Sequence, residues 1–183
     1  MKIVAITGMP GAGKSTAAQA LVEKGWQRVV MGDVVREETR RRGLPEDAKH
    51  MGEVMKDLRR PRGEAAVAEL CLKSIRKSGY DRVVVDGIRS MAEVQAFKKE
   101  AQVLLLAVHA SRARRFSFLK GRGRSDDPES YGMFQKRDEG ELEVGIGKAI
   151  ALADEMISNE HASPEVLSAQ TVDLVERWLN AST

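Results

Sequence analysis

The 183-residue sequence is 42% hydrophobic, 31% charged and only 4% aromatic, which implies a core of aliphatic side chains and argues against disorder, a collagen-like repeat or a disulfide scaffold. Its 30 Lys and Arg against 27 Asp and Glu leave a net charge of +3, which gives little support to nucleic acid as the main partner, although arginines crowd into 36–62 and 112–124. The length suits one domain over 1–183; the lone Cys71 has no partner for a disulfide, and neither a signal peptide nor a run of roughly 20 apolar residues able to span a bilayer is visible, so a cytoplasmic protein with no membrane partner is expected.

In chain order, short apolar runs alternate with longer helical stretches, the pattern of an α/β fold with a parallel sheet. Lys2 to Thr7 reads as a buried strand, followed by a glycine turn and a helix from Lys14 to about Lys24 that Gly25 ends. Gln27 to Met31 reads as a second strand. Gly32-Asp33 then opens a helix running through Arg40-Arg41-Arg42 to the stop at Gly43-Leu44-Pro45. Helical patterns follow over Glu46–Leu58 and Gly63–Lys77, then a third strand over Arg82–Asp86. The remainder predicts a helix over Met91–Glu100, a strand over Gln102–Val108, a helix over Ser111–Leu119, a helix over Glu139–Ala153 and a short strand over Glu155–Ser158. Ser163 and Pro164 mark the cap and first turn of a last helix. The Gly-, Arg- and Asp-rich stretch from Gly121 to Ser130 reads as a mobile loop.

One motif is sharp. Gly8-Met9-Pro10-Gly11-Ala12-Gly13-Lys14-Ser15 matches G-x-x-x-x-G-K-[ST], between a predicted strand and a predicted helix. Glycines let the backbone wrap a phosphate so that its N–H groups converge at a helix N-terminus. Lys14 reaches the outer phosphates, the Ser15 hydroxyl can ligate Mg²⁺, and Thr16 sits behind as a weaker contact. The apolar strand Val83-Val84-Val85 ends in Asp86, placed to hold Mg²⁺ directly or through water, and Gly87 follows where motor ATPases carry a water-activating Glu. Asp33 also follows a strand. Because a parallel sheet gathers its strand C-termini at one edge, Lys14, Asp33, Asp86 and Arg89 are expected there together. His50, His109 and His161 show no metal-ligand spacing.

With these motifs in place, the chain resembles the nucleoside monophosphate kinases, adenylate kinase in particular. Gly32-Asp33-Val34-Val35-Arg36 is similar to that family's Gly-Asp-x-x-Arg element, which implies that Arg36 grips the acceptor phosphate. Asp86-Gly87-Ile88-Arg89 is similar to its Asp-Gly-x-x-Arg stretch, one residue and a proline short, and gives Arg89 a like role. Arg122-Gly123-Arg124-Ser125-Asp126-Asp127 resembles the start of a lid, and Phe134-Gln135-Lys136-Arg137 its return helix, so that Arg122, Arg124 and Arg137 would cover the transferring phosphoryl group. Ala153 to Asn159 with Ser163-Pro164-Glu165 is similar instead to the C-terminal stretch of dephospho-CoA kinases. The two patterns together resemble the archaeal adenylate-kinase-related, dephospho-CoA-kinase-like group.

The resemblance implies a three-layer α/β/α P-loop NTPase fold with a five-stranded parallel sheet in the order 2-3-1-4-5, an acceptor-binding helical insert over about 33–78 and a small mobile lid over about 112–138. It also implies transfer of the γ-phosphoryl group of ATP, or of GTP, with Mg²⁺, to a small acceptor, foremost a nucleoside monophosphate. Two alternatives stand beside it. Transfer to a hydroxyl, as in dephospho-CoA, would make Asp33 the general base. A nucleotide-dependent RNA-associated protein with little kinase activity would use Arg40-Arg41-Arg42 and Arg59-Arg60-Pro61-Arg62, which otherwise read as solvated helical surface.

Overall fold

The computed structural model describes residues 1–123 and 127–181, with the backbone alone for Ala48 and Arg62. Five parallel strands, β1 (Lys2–Thr7), β2 (Gln27–Val30), β3 (Arg82–Ile88), β4 (Gln102–His109) and β5 (Glu155–Ser158), form one sheet in the order β2-β3-β1-β4-β5. That is the order expected from the resemblance. The strand bearing the glycine motif lies in the middle, paired Ile3–Val83 on one side and Ile3–Val103 on the other.

Strand alternation sorts the apolar residues into two layers. Ile3 and Ala5 of β1, with Val83, Val85 and Leu105, face a cluster completed by the helices α2 (Met31–Arg41), α3 (Ala48–Arg62), α4 (Ala66–Ser78) and α5 (Met91–Lys98). Val4, Ile6, Val84, Leu104, Leu106 and Val108 face the other way, against α1 (Lys14–Glu23) and α9 (Pro164–Ala181). A sheet covered on both faces explains why its inner strands read as nearly continuous apolar runs. Two further helices, α6 (Arg112–Arg122) and α7 (Tyr131–Val144), and the short α8 (Ile146–Ala151) connect β4 to β5.

Several boundaries differ from expectation for local reasons. The helix expected over Glu139–Ala153 is two helices, broken where Gly145 takes a left-handed φ of 105°. The first of them starts at Tyr131, capped by the Ser130 hydroxyl, which accepts the Met133 N–H at 3.2 Å. The third helix runs to Arg62 rather than Leu58, with Pro61 in its last turn and Gly63 as its C-cap. Strand β3 continues past Asp86 to Ile88, with a register shift opposite Thr7, whose hydroxyl donates to the Ile88 carbonyl at 3.0 Å.

Candidate functional site

The glycine motif joins the end of β1 to the start of α1, and its glycines are there for space as much as for backbone freedom. A Cβ on Gly8 would lie 2.3 Å from the Val108 carbonyl oxygen, and one on Gly13 would lie 2.5 Å from Asn159 Nδ2. Both residues have positive φ, 144° and 107°. The loop is thereby pressed against β4 and the start of the last crossover, with the free N–H groups of the α1 N-terminus opening toward one cavity.

That cavity, about 420 Å³, is lined by the loop from Gly8 to Thr16 in part, by Asp86 and Arg89 from the end of β3, by Arg122 from α6 and by Arg137 and Glu141 from α7. The wall thus brings together Lys14, Ser15, Thr16, Asp86, Arg89, Arg122 and Arg137, which are distant in sequence. Met9 and Ala12 belong to the loop without lining the cavity; Ala12 is buried and its N–H donates to the Met9 carbonyl at 3.1 Å. Pro10, Gly11 and Gly13 do line it.

The Lys14 ammonium folds back on the loop, donating to the carbonyls of Gly8 at 2.7 Å and Met9 at 3.2 Å. Burial pushes its pKa down from 10.5 to about 8. The carboxylates of Asp86 and Glu141 oppose the fall, while the guanidiniums of Arg89 and Arg137 deepen it. An anion entering this cavity would favour the charged form of a lysine that burial, above all, has disfavoured.

Asp86 is almost fully buried, and its Oδ2 accepts from Arg28 Nη2 at 2.5 Å. Arg28 was not singled out in the sequence. The register pairs Val30 with Asp86, so Arg28, two residues earlier on β2, lies on the same sheet face. An arginine inside a strand that the pattern makes inward-facing was the available signal. Ser15 and Asp86 supply hard oxygen donors of the kind Mg²⁺ accepts, and no cluster of three or more His, Cys, Asp or Glu able to hold a metal exists among the described residues. Such a donor pair suits an ion that arrives with a phosphate ligand rather than one caged by protein alone.

Asp33 and Arg36 stand in the first turns of α2, exposed or half-exposed, and they are ion-paired to each other, with Glu46 3.7 Å from Arg36 Nε. Neither is among the residues lining the cavity, although their neighbours Val30 and Gly32 are. Arg89 lies in it, its Nε 2.8 Å and Nη2 3.2 Å from the two oxygens of Glu141. Arg122 Nε reaches both oxygens of Asp127, at 3.1 and 3.2 Å. Arg124 lies outside the described residues, as do Ser125 and Asp126.

Three braces behind the site escaped the sequence reading because each spans a long separation. Arg115 of α6, buried, donates from both Nη atoms to Asp138 of α7 at 2.8 and 2.6 Å, and from Nη1 to the Pro10 carbonyl at 3.1 Å. Asn159, after β5, donates to the Ala12 carbonyl at 3.0 Å. Glu93, buried in α5, accepts the N–H of Arg89 at 2.7 Å with one oxygen and Arg59 Nη2 at 3.1 Å with the other. Burial raises the Glu93 pKa, and those donors pull it back. The capping-box pattern Ser90-x-x-Glu93 was the one local signal for this third brace.

The described arginine side chains of the basic runs are ion-paired within the chain. Arg40 pairs with Glu46, Arg41 and Arg42 with Glu38, Arg42 also with Asp57, and Arg60 with Asp57. Hydrogen bonds from Arg41, and then from Arg42, hold the Glu38 carboxyl down at about 2.

Two relatives place the chain in a family. The UPF0200 protein of Thermococcus sibiricus is 44% identical over 163 residues, covering 86% of each chain, and that of Methanosarcina mazei is 40% identical over 183 residues, covering 99% of this chain and 97% of the other. The chain belongs to the UPF0200 family. Residues 7–131 of this UPF0200 chain also match the AAA domain family. Among solved structures, TT1252 from Thermus thermophilus superposes with a TM-score of 0.66 at 18% identity over 95% of this chain and 96% of that one. The shikimate kinase of Acinetobacter baumannii, solved in complex with shikimate, gives 0.61 at 13% over 96% and 93%. At such identities these likenesses speak for the fold, and the fold of the UPF0200 chain is that of the P-loop kinases. No described helix is long and apolar enough to cross a membrane.

Proposed function

We propose that this protein transfers the γ-phosphoryl group of Mg-ATP, with GTP as the alternative donor, to a small phosphate-bearing acceptor, foremost a nucleoside monophosphate. The observation that carries the reading is the meeting of Lys14, Arg89, Arg122 and Arg137 with the phosphate loop around one cavity, while Asp33, the candidate base, lies outside its lining. A phosphate acceptor is already an anion and needs positive charge rather than a base. A hydroxyl acceptor needs a base.

In this reading the residues act by positioning and by neutralising charge. The amides from Gly11 to Ser15 and the Lys14 ammonium hold the donor phosphates. Ser15 and Asp86 would hold Mg²⁺, which supplies charge neutralisation at the phosphates when bound. Arg89, and Arg36 from the insert over about 33–78, orient the acceptor. Arg122, Arg124 and Arg137 belong to a lid over about 112–138 that closes over the phosphoryl group and excludes water. The internal pairing of Arg40, Arg41 and Arg42 favours a small acceptor over RNA.

The test is phosphoryl transfer from Mg-ATP across AMP, CMP, UMP, GMP, their deoxy forms and dephospho-CoA, reading the phosphorylated acceptor itself. One preferred monophosphate is the expected result, with Lys14→Ala folded and slower by about 10²–10³-fold or more, the scale for removing one electrostatic stabiliser of the transition state. Transfer to dephospho-CoA alone, or unchanged activity in Lys14→Ala, overturns the reading.

A further inference from the structure

Two carboxylates line the cavity against its cations: Asp86 is taken up by Arg28, and Glu141 faces the arginines. Glu141 projects from α7 among Lys14, Arg89, Arg122 and Arg137, and its carboxylate takes the Nε–Nη2 edge of Arg89, the edge whose paired N–H groups match the oxygens of a carboxylate or a phosphate. Helix α7 does not depend on this contact for its place. One turn earlier Asp138 is locked to Arg115, both buried, and Phe134 packs in an aromatic cluster with Phe116 and Tyr131. Arg89 is equally independent of Glu141. Its N–H is held by Glu93, and its carbonyl lies against the Gly145 break.

Two fixed backbones therefore meet through one exchangeable pair of side chains. Arg89 and Glu141 are 30% and 14% exposed, so water reaches the pair, and an incoming phosphate can take over the Arg89 hydrogen bonds without leaving that charge unpaired. A phosphate brings more negative charge to the same fork than a carboxylate does, and the released Glu141 has Arg137 one helical turn away.

We propose that Glu141 keeps the place of the acceptor's anionic group, so that a phosphate-bearing acceptor binds Arg89 by displacing it and an acceptor without that group is rejected. Glu141 is in this sense a specificity-determining residue. The inference rests on the phosphate-acceptor reading and adds the exchange to it.

The experiment fills the donor site with Mg-AMP-PNP and titrates AMP or adenosine by calorimetry. Glu141→Gln, which keeps the shape and removes the charge, is expected to tighten AMP about tenfold, against no more than two- to three-fold for adenosine and for Mg-AMP-PNP itself. In Arg89→Lys the advantage of Glu141→Gln should vanish. Weaker or unchanged AMP binding in Glu141→Gln overturns the exchange. Should that variant not fold, Glu141→Asp, which draws the carboxylate back by one methylene, is expected to tighten AMP by a smaller factor, and unaltered affinity there overturns it equally. A failure of Mg-AMP-PNP to bind the natural protein is a failure of the donor assignment, whereas donor binding with an indifferent Glu141→Gln is a failure of the exchange alone.

Discussion

The two sides of the cavity are built from different materials. On the side proposed for the donor the contacts are to backbone: glycines at positive φ pressed on the Val108 carbonyl, and the Pro10 and Ala12 carbonyls held from behind by Arg115 and Asn159. On the side proposed to take the acceptor they are ion pairs between side chains, Arg89 with Glu141 in the wall and Asp33 with Arg36 outside it, all reached by solvent to some degree. A backbone cradle is formed before its ligand arrives and has one shape. A set of part-exposed ion pairs has alternatives close in energy, so a ligand can replace one partner. The donor side should thus be intolerant of change and the acceptor side adjustable.

The largest expected effect on ligand binding is on the side proposed for the donor. In Gly8→Ala the new Cβ would sit 2.3 Å from a main-chain oxygen of β4, which cannot swing aside as a side chain would. Nucleotide binding should fall below detection, and overpacking should cost about 1–3 kcal/mol in urea unfolding. Gly52→Ala is the control: its Cβ meets nothing within 4 Å and it lies inside α3, so it should stabilise by about 0.5–1 kcal/mol. Equal behaviour of the two variants would break the contrast between the sides.

Next comes the brace between the loop and the β4–β5 connection. Either Arg115→Met or Asp138→Asn leaves a buried charge or polar group unmatched, at a cost of about 3–5 kcal/mol, while the double variant should cost clearly less than the sum. A double-mutant cycle by urea unfolding reads this. Additive costs would mean that the pair does not act as a unit.

A smaller effect is set by pH. The folded pKa of Lys14, about 8, lies below 10.5, so between those values the unfolded chain binds more protons and stability rises with pH. Phosphate binding moves the other way, since it needs the charged ammonium. Mg-ATP affinity should therefore weaken several-fold as pH passes from 7 to 9, and Lys14→Met should show a flat profile. A wild-type profile equally flat would remove Lys14 from the donor contacts.

What could be read beforehand follows the same division. The phosphate loop is eight consecutive residues between two patterned elements, so its chemistry and its place in the sheet are local facts. The strand order came through the family resemblance that this loop supports. Arg28, Arg115, Asp138, Asn159 and Glu141 matter through partners 23 to 147 positions away, and nothing in a one-dimensional pattern separates them from surface residues. The start of α7 was marked by the resemblance over 134–137 but not by the pattern: Gly132 and Gly140 lie inside it, and Phe134 and Asp138 pack it on α6.

The smallest expected effect tests the adjustable side most directly. Asp33 is 61% exposed on its side chain, paired with Arg36, and absent from the cavity wall. If the acceptor group is a phosphate, no proton must be removed by protein, and Asp33→Asn should change kcat by no more than about three-fold. Its remaining effect would appear in KM, through an Arg36 freed from its partner. If the acceptor is a hydroxyl, the same variant removes a general base, and loss of about 10²–10⁴-fold in kcat with binding intact is the corresponding scale. That outcome would require α2 to bring Asp33 into the cavity on acceptor binding, and would make the acceptor side a part that is assembled during the reaction rather than one in which a single ion pair is exchanged.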